Sequence, residues 1–251
     1  MTIAAGFRSN EGIVLCADTE ETLGDIKLWR GKIATVMYKD MRHIVAFAGA
    51  GWTDYIETAI QEVQDRLSNC SGMDEIRTHL KKGLLRFFEG HLARWAGFPE
   101  SEKPFVELLI GVSTKAGGAD LFYYGGTAFY STSEKAIGSG VILANSLITE
   151  YRPSNASLDE LCRLAVLVLS KVKRQVVGCG GDTHLVVLRR GGDIAFVDDD
   201  DLRRLEAEIE GKLRASNVKM RKAISSCGRV RLSWFGETAK RESKDMPPES
   251  P

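Results

Sequence analysis

The order in which the hydropathy period changes along the chain most limits the folds open to it. The opening segment alternates short β-branched and apolar runs with turn residues, giving four strand-like stretches: Thr2–Phe7, Gly12–Asp18, Lys32–Tyr38 and His43–Ala48. The period then becomes helical. Thr53 to Ser68 carries Tyr55, Ile56, Ile60, Val63 and Leu67 on one face, and Met73 to Trp95 carries Ile76, Leu80, Leu84, Leu85, Phe88 and Leu92. Asp54 and Asp74 stand early in these helices, where the helix dipole favours acid. A polar loop at Pro99–Pro104 precedes strand-like runs at Phe105–Val112, Ala119–Tyr124, Ala128–Tyr130 and Lys135–Ile137. Two helical stretches follow, Val141–Tyr151 and Leu158–Val176, and then two strands, Thr183–Leu188 and Asp193–Val197. Strands, a helix pair, strands, a helix pair and strands imply layers, the first pair covering one face of the first sheet.

The residue that gives such a scaffold a chemistry is Thr2. If Met1 is removed, Thr2 carries both a hydroxyl nucleophile and a free α-amine. The ordinary pKa of an α-amine, about 7.7–8.0, leaves a useful fraction able to take the hydroxyl proton at neutral pH. The run Gly12–Asp18 ends in an acid, and after a polar turn Lys32 precedes Ile33. This predicts Asp18 and Lys32 at the ends of neighbouring strands beside the first one. A lysine paired there with an aspartate would hold positive charge near the Thr2 hydroxyl and lower the cost of its alkoxide.

Thr2, Gly6, Gly12, Asp18, Thr22 and Gly24, with Lys32-Ile33 after them, form an ordered set that resembles the proteasome β-subunit family, including its bacterial ATP-dependent relative. In that family a Thr opens the mature chain, followed by a Gly four residues on, a G-V-V-x-x-A-D strand, a T-x-G turn, and K-I or K-V. Lys32 matches after a two-residue deletion in the turn. The order of strands and helices is likewise that of the four-layer αββα sandwich, an α/β (α+β) architecture, of the N-terminal nucleophile (Ntn) hydrolases. The resemblance implies that Gly49, in Phe47-Ala48-Gly49, presents its N–H to an oxyanion, with Gly51 as the alternative. It also implies that Ser139 in Gly138-Ser139-Gly140 lies near the nucleophile and bonds its amine. The loop holding Glu20 and Thr22 is expected to shape the substrate channel, although Glu20 stands where many members carry arginine.

One segment departs from the pattern. Where the family commonly reads D-x-x-S-G-G, this chain has Val176-Val177-Gly178-Cys179-Gly180-Gly181. A thiol is a weak hydrogen-bonding group and a valine is none. Either Asp182 substitutes, or the terminal amine is held less well. Cys179 as a nucleophile would need a thiolate, and His184, five residues on in a strand, would point to the opposite face.

Composition narrows the classes. The 251 residues suffice for one substantial core, and 34 Lys+Arg against 34 Asp+Glu leave no net field drawing the chain to nucleic acid or an anionic membrane. Five cysteines without metal-ligand spacing read as free thiols in a reducing compartment. No apolar stretch has the length of a membrane span, and no secretory signal pattern opens the chain, so a cytoplasmic protein is expected. Asp198–Asp201 reads as a helix start ahead of Leu202–Ala215, since four contiguous acids lack the alternate spacing of a calcium loop. The Gly138-Ser139-Gly140 turn lacks a P-loop lysine or dinucleotide fingerprint, so no cofactor is expected, and neither the cysteine spacing nor the acidic run predicts a metal. A single domain is expected over residues 1–236, with its core at about 2–198, a helical extension at about 199–236 and a disordered tail over 237–251.

The expected function is a threonine-type endopeptidase. Its catalytic residues would be Thr2, Asp18, Lys32, Gly49 and Ser139, with Glu20, Thr22 and Gly51 toward the substrate. The resemblance adds a homo-oligomeric ring, a peptide or unfolded-protein substrate and an ATP-dependent unfoldase as partner. A catalytically silent subunit and a small-molecule Ntn amidase remain as alternatives.

Overall fold

The computed structural model describes residues 2–23, 26–38 and 42–226, leaving aside the side chains of 22, 23, 26, 27 and 216–226; the expected tail over 237–251 and Gly24 lie outside the described residues. The chain opens with β1 (Ile3–Arg8), β2 (Gly12–Asp18), the pair β3 (Glu20–Leu23) and β4 (Ile26–Trp29), β5 (Ile33–Met37) and β6 (His43–Gly51). Then come α1 (Thr53–Leu67) and α2 (Met73–Phe87), followed by β7 (Val106–Thr114), β8 (Ala119–Gly125), β9 (Ala128–Thr132) and β10 (Glu134–Gly138). The remaining elements are α3 (Val141–Tyr151), α4 (Leu158–Gln175), β11 (Thr183–Arg189), β12 (Asp193–Phe196) and α5 (Asp199–Ser226).

Two five-stranded antiparallel sheets result, in the orders β10-β1-β2-β11-β12 and β5-β6-β7-β8-β9. The two sheets bury their inner faces on each other, and helices cover both outer faces, which is the four-layer αββα sandwich. The period of two along each strand explains the layering. On β2, Ile13, Leu15 and Ala17 face the opposite sheet while Val14 and Cys16 face α3 and α4. On β6, Ile44, Ala46, Ala48 and Ala50 face inward, whereas Val45 and Phe47 join Ile60, Val63, Leu80 and Leu84 of α1 and α2. Small side chains on the inner face let the sheets approach closely. At Gly6 an added Cβ would stand 2.9 Å from Leu15 and 3.0 Å from Leu121 of the other sheet.

Three expectations are corrected and one is refined. The polar turn after Asp18 is a two-stranded hairpin, β3–β4, with Glu20 opposite Trp29 and Thr22 opposite Lys27. Asp18 and Lys32 belong to different sheets: Asp18 ends β2, while Lys32 precedes β5 at the edge of the other. The helix expected to run to Trp95 is α-helical only to Phe87, then passes into a π turn, Phe88–Leu92, and a 3-10 turn, Ala93–Trp95. Gly90 in that stretch weakens the α-helical preference. Finally, α5 starts at Asp199 and runs to Ser226, longer than the periodic stretch Leu202–Ala215 and within the helical extension expected over about 199–236, with Asp198 Oδ1 accepting from the Asp200 N–H at 2.8 Å.

The chain divides into two compact units, Met1–Glu210 and Gly211–Pro251; the described part of the second is the helical stretch 211–226. Within the first unit, Leu202, Leu205 and Ile209 of α5 join the core outside the first sheet. The start of α4 is fixed by a reciprocal cap, in which the Ser157 side chain accepts from the Glu160 N–H and the Glu160 side chain accepts from the Ser157 N–H. No described helix is long and apolar enough to cross a membrane.

Candidate active site

The registers of the strands bring Thr2, Asp18, Lys32 and Gly49 to one end of the sandwich. In the first sheet Ala4 lies opposite Ala17, so Ile3 comes level with Asp18, and the Ile3 N–H donates to Asp18 Oδ1 at 3.1 Å. In the second sheet Ile33 lies opposite Ala48, so Lys32, one step earlier, comes level with Gly49. Lys32 then reaches across between the sheets. Its ammonium donates to Asp18 Oδ1 at 2.7 Å and to the backbone carbonyl of Glu20.

This ion pair is buried, the Asp18 side chain being 0% exposed and that of Lys32 9%. Burial raises the Asp18 carboxyl above its ordinary pKa, and the Lys32 ammonium, then the amides of Gly180 and Ile3, draw it back down. Asp18 Oδ2 accepts from the Gly180 N–H at 3.0 Å. Both carboxylate oxygens therefore have donors, the condition under which a buried charge is tolerated.

Thr2, Lys32, Gly49 and Gly51 line a single cleft of about 650 Å³. Asp18 lies behind it, holding the lysine. The cleft is completed by Glu21, Leu28 and Arg30 from the hairpin side and by Trp52, Thr53, Asp54 and Ile56 from the start of α1. Glu20 does not line it: Glu20 is 7% exposed and packs against Gly180, and its neighbour Glu21 faces the cleft because alternate strand residues point to opposite faces. Glu21 accepts from Thr53 Oγ1 at 2.6 Å, tying the hairpin to α1. The Thr22 side chain is outside the described ones. Gly49 is buried, and a Cβ there would stand 2.6 Å from Ile56 Cγ2, so only glycine keeps the strand this close to α1.

On the other side of Thr2, the Ser139 N–H donates to the Thr2 carbonyl at 2.9 Å. Ser139 itself is exposed and meets Thr2 through this backbone bond. The turn is possible because Gly138 adopts φ +93°, where a Cβ would collide with the Thr2 carbonyl oxygen. Gly138→Ala is accordingly expected to destabilise the protein by about 1–3 kcal/mol or more. Gly117 supplies the control, with φ +87° and open space around it, so Gly117→Ala should cost only the backbone term, about 1 kcal/mol. Urea unfolding of both variants checks the difference.

The segment that departs from the pattern lies against the buried pair. Cys179 is 5% exposed, and burial, then the Asp18 carboxylate, pushes its thiol up to about 11, the reverse of what a nucleophilic thiolate requires. Val176 packs into the core outside the first sheet. The Asp182 side chain is 59% exposed, and its carboxylate stands 3.8 Å from Arg203 on α5.

Sequence reasoning missed Glu107. It accepts from the Gly138 N–H at 3.2 Å and from the Tyr123 hydroxyl at 2.7 Å, supporting the turn that carries Ser139. A single acid inside the apolar run Phe105–Val112 was the available signal.

A family model described as "Proteasome subunit" matches residues 2–188. Among solved structures, an Anbu (ancestral beta-subunit) from Yersinia bercovieri has a TM-score of 0.70 at 15% identity, over 92% of this chain and 100% of that one. A Gly-1 mutant of Anbu from Hyphomicrobium sp. strain MC1 gives 0.70 at 18%, over 92% and 100%. A helical assembly of the Anbu complex from Pseudomonas aeruginosa gives 0.69 at 14%, over 92% and 98%. At these identities the likeness speaks for the fold. No curated protein matches the chain.

Proposed function

The chain belongs to the proteasome subunit family, and we propose that within it this protein is a threonine peptidase, hydrolysing peptide bonds with Thr2 as the terminal nucleophile after loss of Met1. The observation that carries the reading is the sharing of one cleft by Thr2, Lys32 and Gly49, with a fully buried Asp18 fixing the lysine from behind.

The chemistry follows from these positions. The proton of the Thr2 hydroxyl passes, through a water, to the free α-amine, and Oγ adds to the substrate carbonyl carbon. The Lys32 ammonium stabilises the alkoxide as it forms, and the Gly49 N–H donates to the tetrahedral oxyanion. Collapse breaks the C–N bond, the proton returns to the leaving amine, and an ester to Thr2 remains. Water, deprotonated by the same amine, then adds to the ester carbon and releases the acid. Ser139 and Gly138 position the Thr2 backbone, while Glu21, Gly51 and Trp52 face the bound peptide.

We propose further that the protein works as a homo-oligomer, since a cleft of this kind left open would attack any unfolded chain. The likeness to a structure solved as a helical assembly supports this. A cytoplasmic location and an ATP-dependent unfoldase as partner belong to the same reading.

A silent subunit is the second reading, favoured by one observation: where the family commonly has an aspartate and a serine, this chain has a core-packed Val176 and a Cys179 thiol pushed up to about 11, and Asp182 stands 3.8 Å from Arg203. Intact mass separates the two. The peptidase requires a purified chain lacking one methionine, and fluorogenic peptides should then be cleaved with an acyl adduct trapped on Thr2. Retention of Met1 leaves the Thr2 nitrogen acylated and unable to serve as base, and would overturn the enzyme reading.

A further inference from the structure

Three side chains with metal-binding atoms meet where α1 hands over to α2. Cys70 Sγ, a carboxylate oxygen of Glu75 and a ring nitrogen of His79 all lie within 4.8 Å of one another. Glu75 and His79 stand four apart at the start of α2 and so share a face. Cys70 is brought to them by the turn after α1, where its N–H donates to the Leu67 carbonyl at 3.1 Å.

Each group has capacity to spare. Cys70 is 1% exposed, and among the described residues its thiol makes one weak hydrogen bond, 3.6 Å to the Arg66 carbonyl. His79 Nδ1 is buried with no hydrogen-bond partner among the described residues. Glu75 Oε2 accepts from the Ser71 N–H at 2.9 Å and from the Ser71 hydroxyl at 3.1 Å. Those bonds aim the carboxylate through Oε2, and among the described residues no hydrogen bond falls on Oε1, the way outer-shell donors orient a ligand.

We propose that Cys70, Glu75 and His79 bind one Zn²⁺ ion, with water as the fourth ligand. A thiolate, an imidazole and a carboxylate together suit this borderline-soft ion better than Mg²⁺ or Ca²⁺, which take oxygen ligands. Tetrahedral bonds of about 2.0–2.3 Å place ligand atoms roughly 3.5 Å apart. Closing from the present spacing takes about 1 Å, within reach of rotations of the exposed Glu75 and the half-buried His79. On binding, the Cys70 S–H proton passes to solvent as the S–Zn bond forms.

The site is remote from the cleft. His43, within electrostatic reach of Glu75, opens β6, and Gly49 lies six residues further along that strand, about 20 Å at ~3.3 Å per residue. The ion would act as a clamp on the α1–α2 connection and take no part in hydrolysis.

Metal-free, tag-free full-length protein titrated with Co²⁺ tests this. One equivalent should produce a thiolate-to-cobalt charge-transfer band with tetrahedral d–d absorption, which Zn²⁺ displaces, and Zn²⁺ should raise the melting temperature. Cys70→Ser and His79→Ala should lose both responses, while Cys162→Ser keeps them. The proposal is overturned if wild-type protein shows no stoichiometric band, a measurement that needs no variant. It is equally overturned if the band survives in Cys70→Ser and His79→Ala, or vanishes in Cys162→Ser.

Discussion

Thr2→Ala is expected to lower kcat/KM for a fluorogenic peptide by roughly 10⁴-fold or more, with little change in melting temperature. Alanine at this position still permits removal of Met1, so the variant keeps the terminal amine and loses only the hydroxyl. The Thr2 carbonyl that accepts from the Ser139 N–H is a backbone group and survives the change. Thr2→Ser keeps hydroxyl and amine together and should retain measurable turnover, since only the methyl that restricts χ1 is lost. A Thr2→Ala protein as active as wild type would place the nucleophile elsewhere.

Breaking the buried pair from one side should cost far more than removing it whole. Lys32→Met leaves the Asp18 carboxylate 0% exposed without its counter-charge, and a loss of about 3–5 kcal/mol is expected. In the double variant Asp18→Asn/Lys32→Met no charge is left behind, and the Asn carbonyl can still accept from the Ile3 or Gly180 N–H. Most of the stability should therefore return while peptide turnover does not, because the ammonium beside Thr2 is gone. Urea unfolding and peptide kinetics on the two single variants and the double complete the cycle. A cost for Lys32→Met below about 1 kcal/mol, the range of exposed pairs, would show that the pair is not buried as described.

The layers were legible because strand and helix periods are local properties. Alternation along β2 and the helical stripe of α4 both sit in contiguous residues, and each boundary fell within a few positions of the sequence reading. The hairpin β3–β4 was not legible, since Glu20-Glu21-Thr22-Leu23 carries no apolar alternation and its partner strand is only four residues long. Within the helical extension expected over about 199–236, helical period was readable only at Leu202–Ala215, because the charged residues of α5 form helix readily but leave little apolar stripe to read. Glu107 and Glu21 escaped notice because their meaning depends on partners from distant parts of the chain, Gly138 and Thr53.

Sequence alone determined the residue types for the proposed chemistry, a threonine behind the initiator, an acid ending a strand and a lysine ahead of another, together with the order of layers that could hold them. Only the tertiary structure decided that Asp18 and Lys32 arrive from opposite sheets, that Glu21 and not Glu20 faces the cleft, and that Asp182 stands beside Arg203. The reason is physical. Period and propensity are written in neighbouring residues, whereas the meeting of two sheets, and which strand end comes level with which, is fixed by packing between segments far apart in the chain.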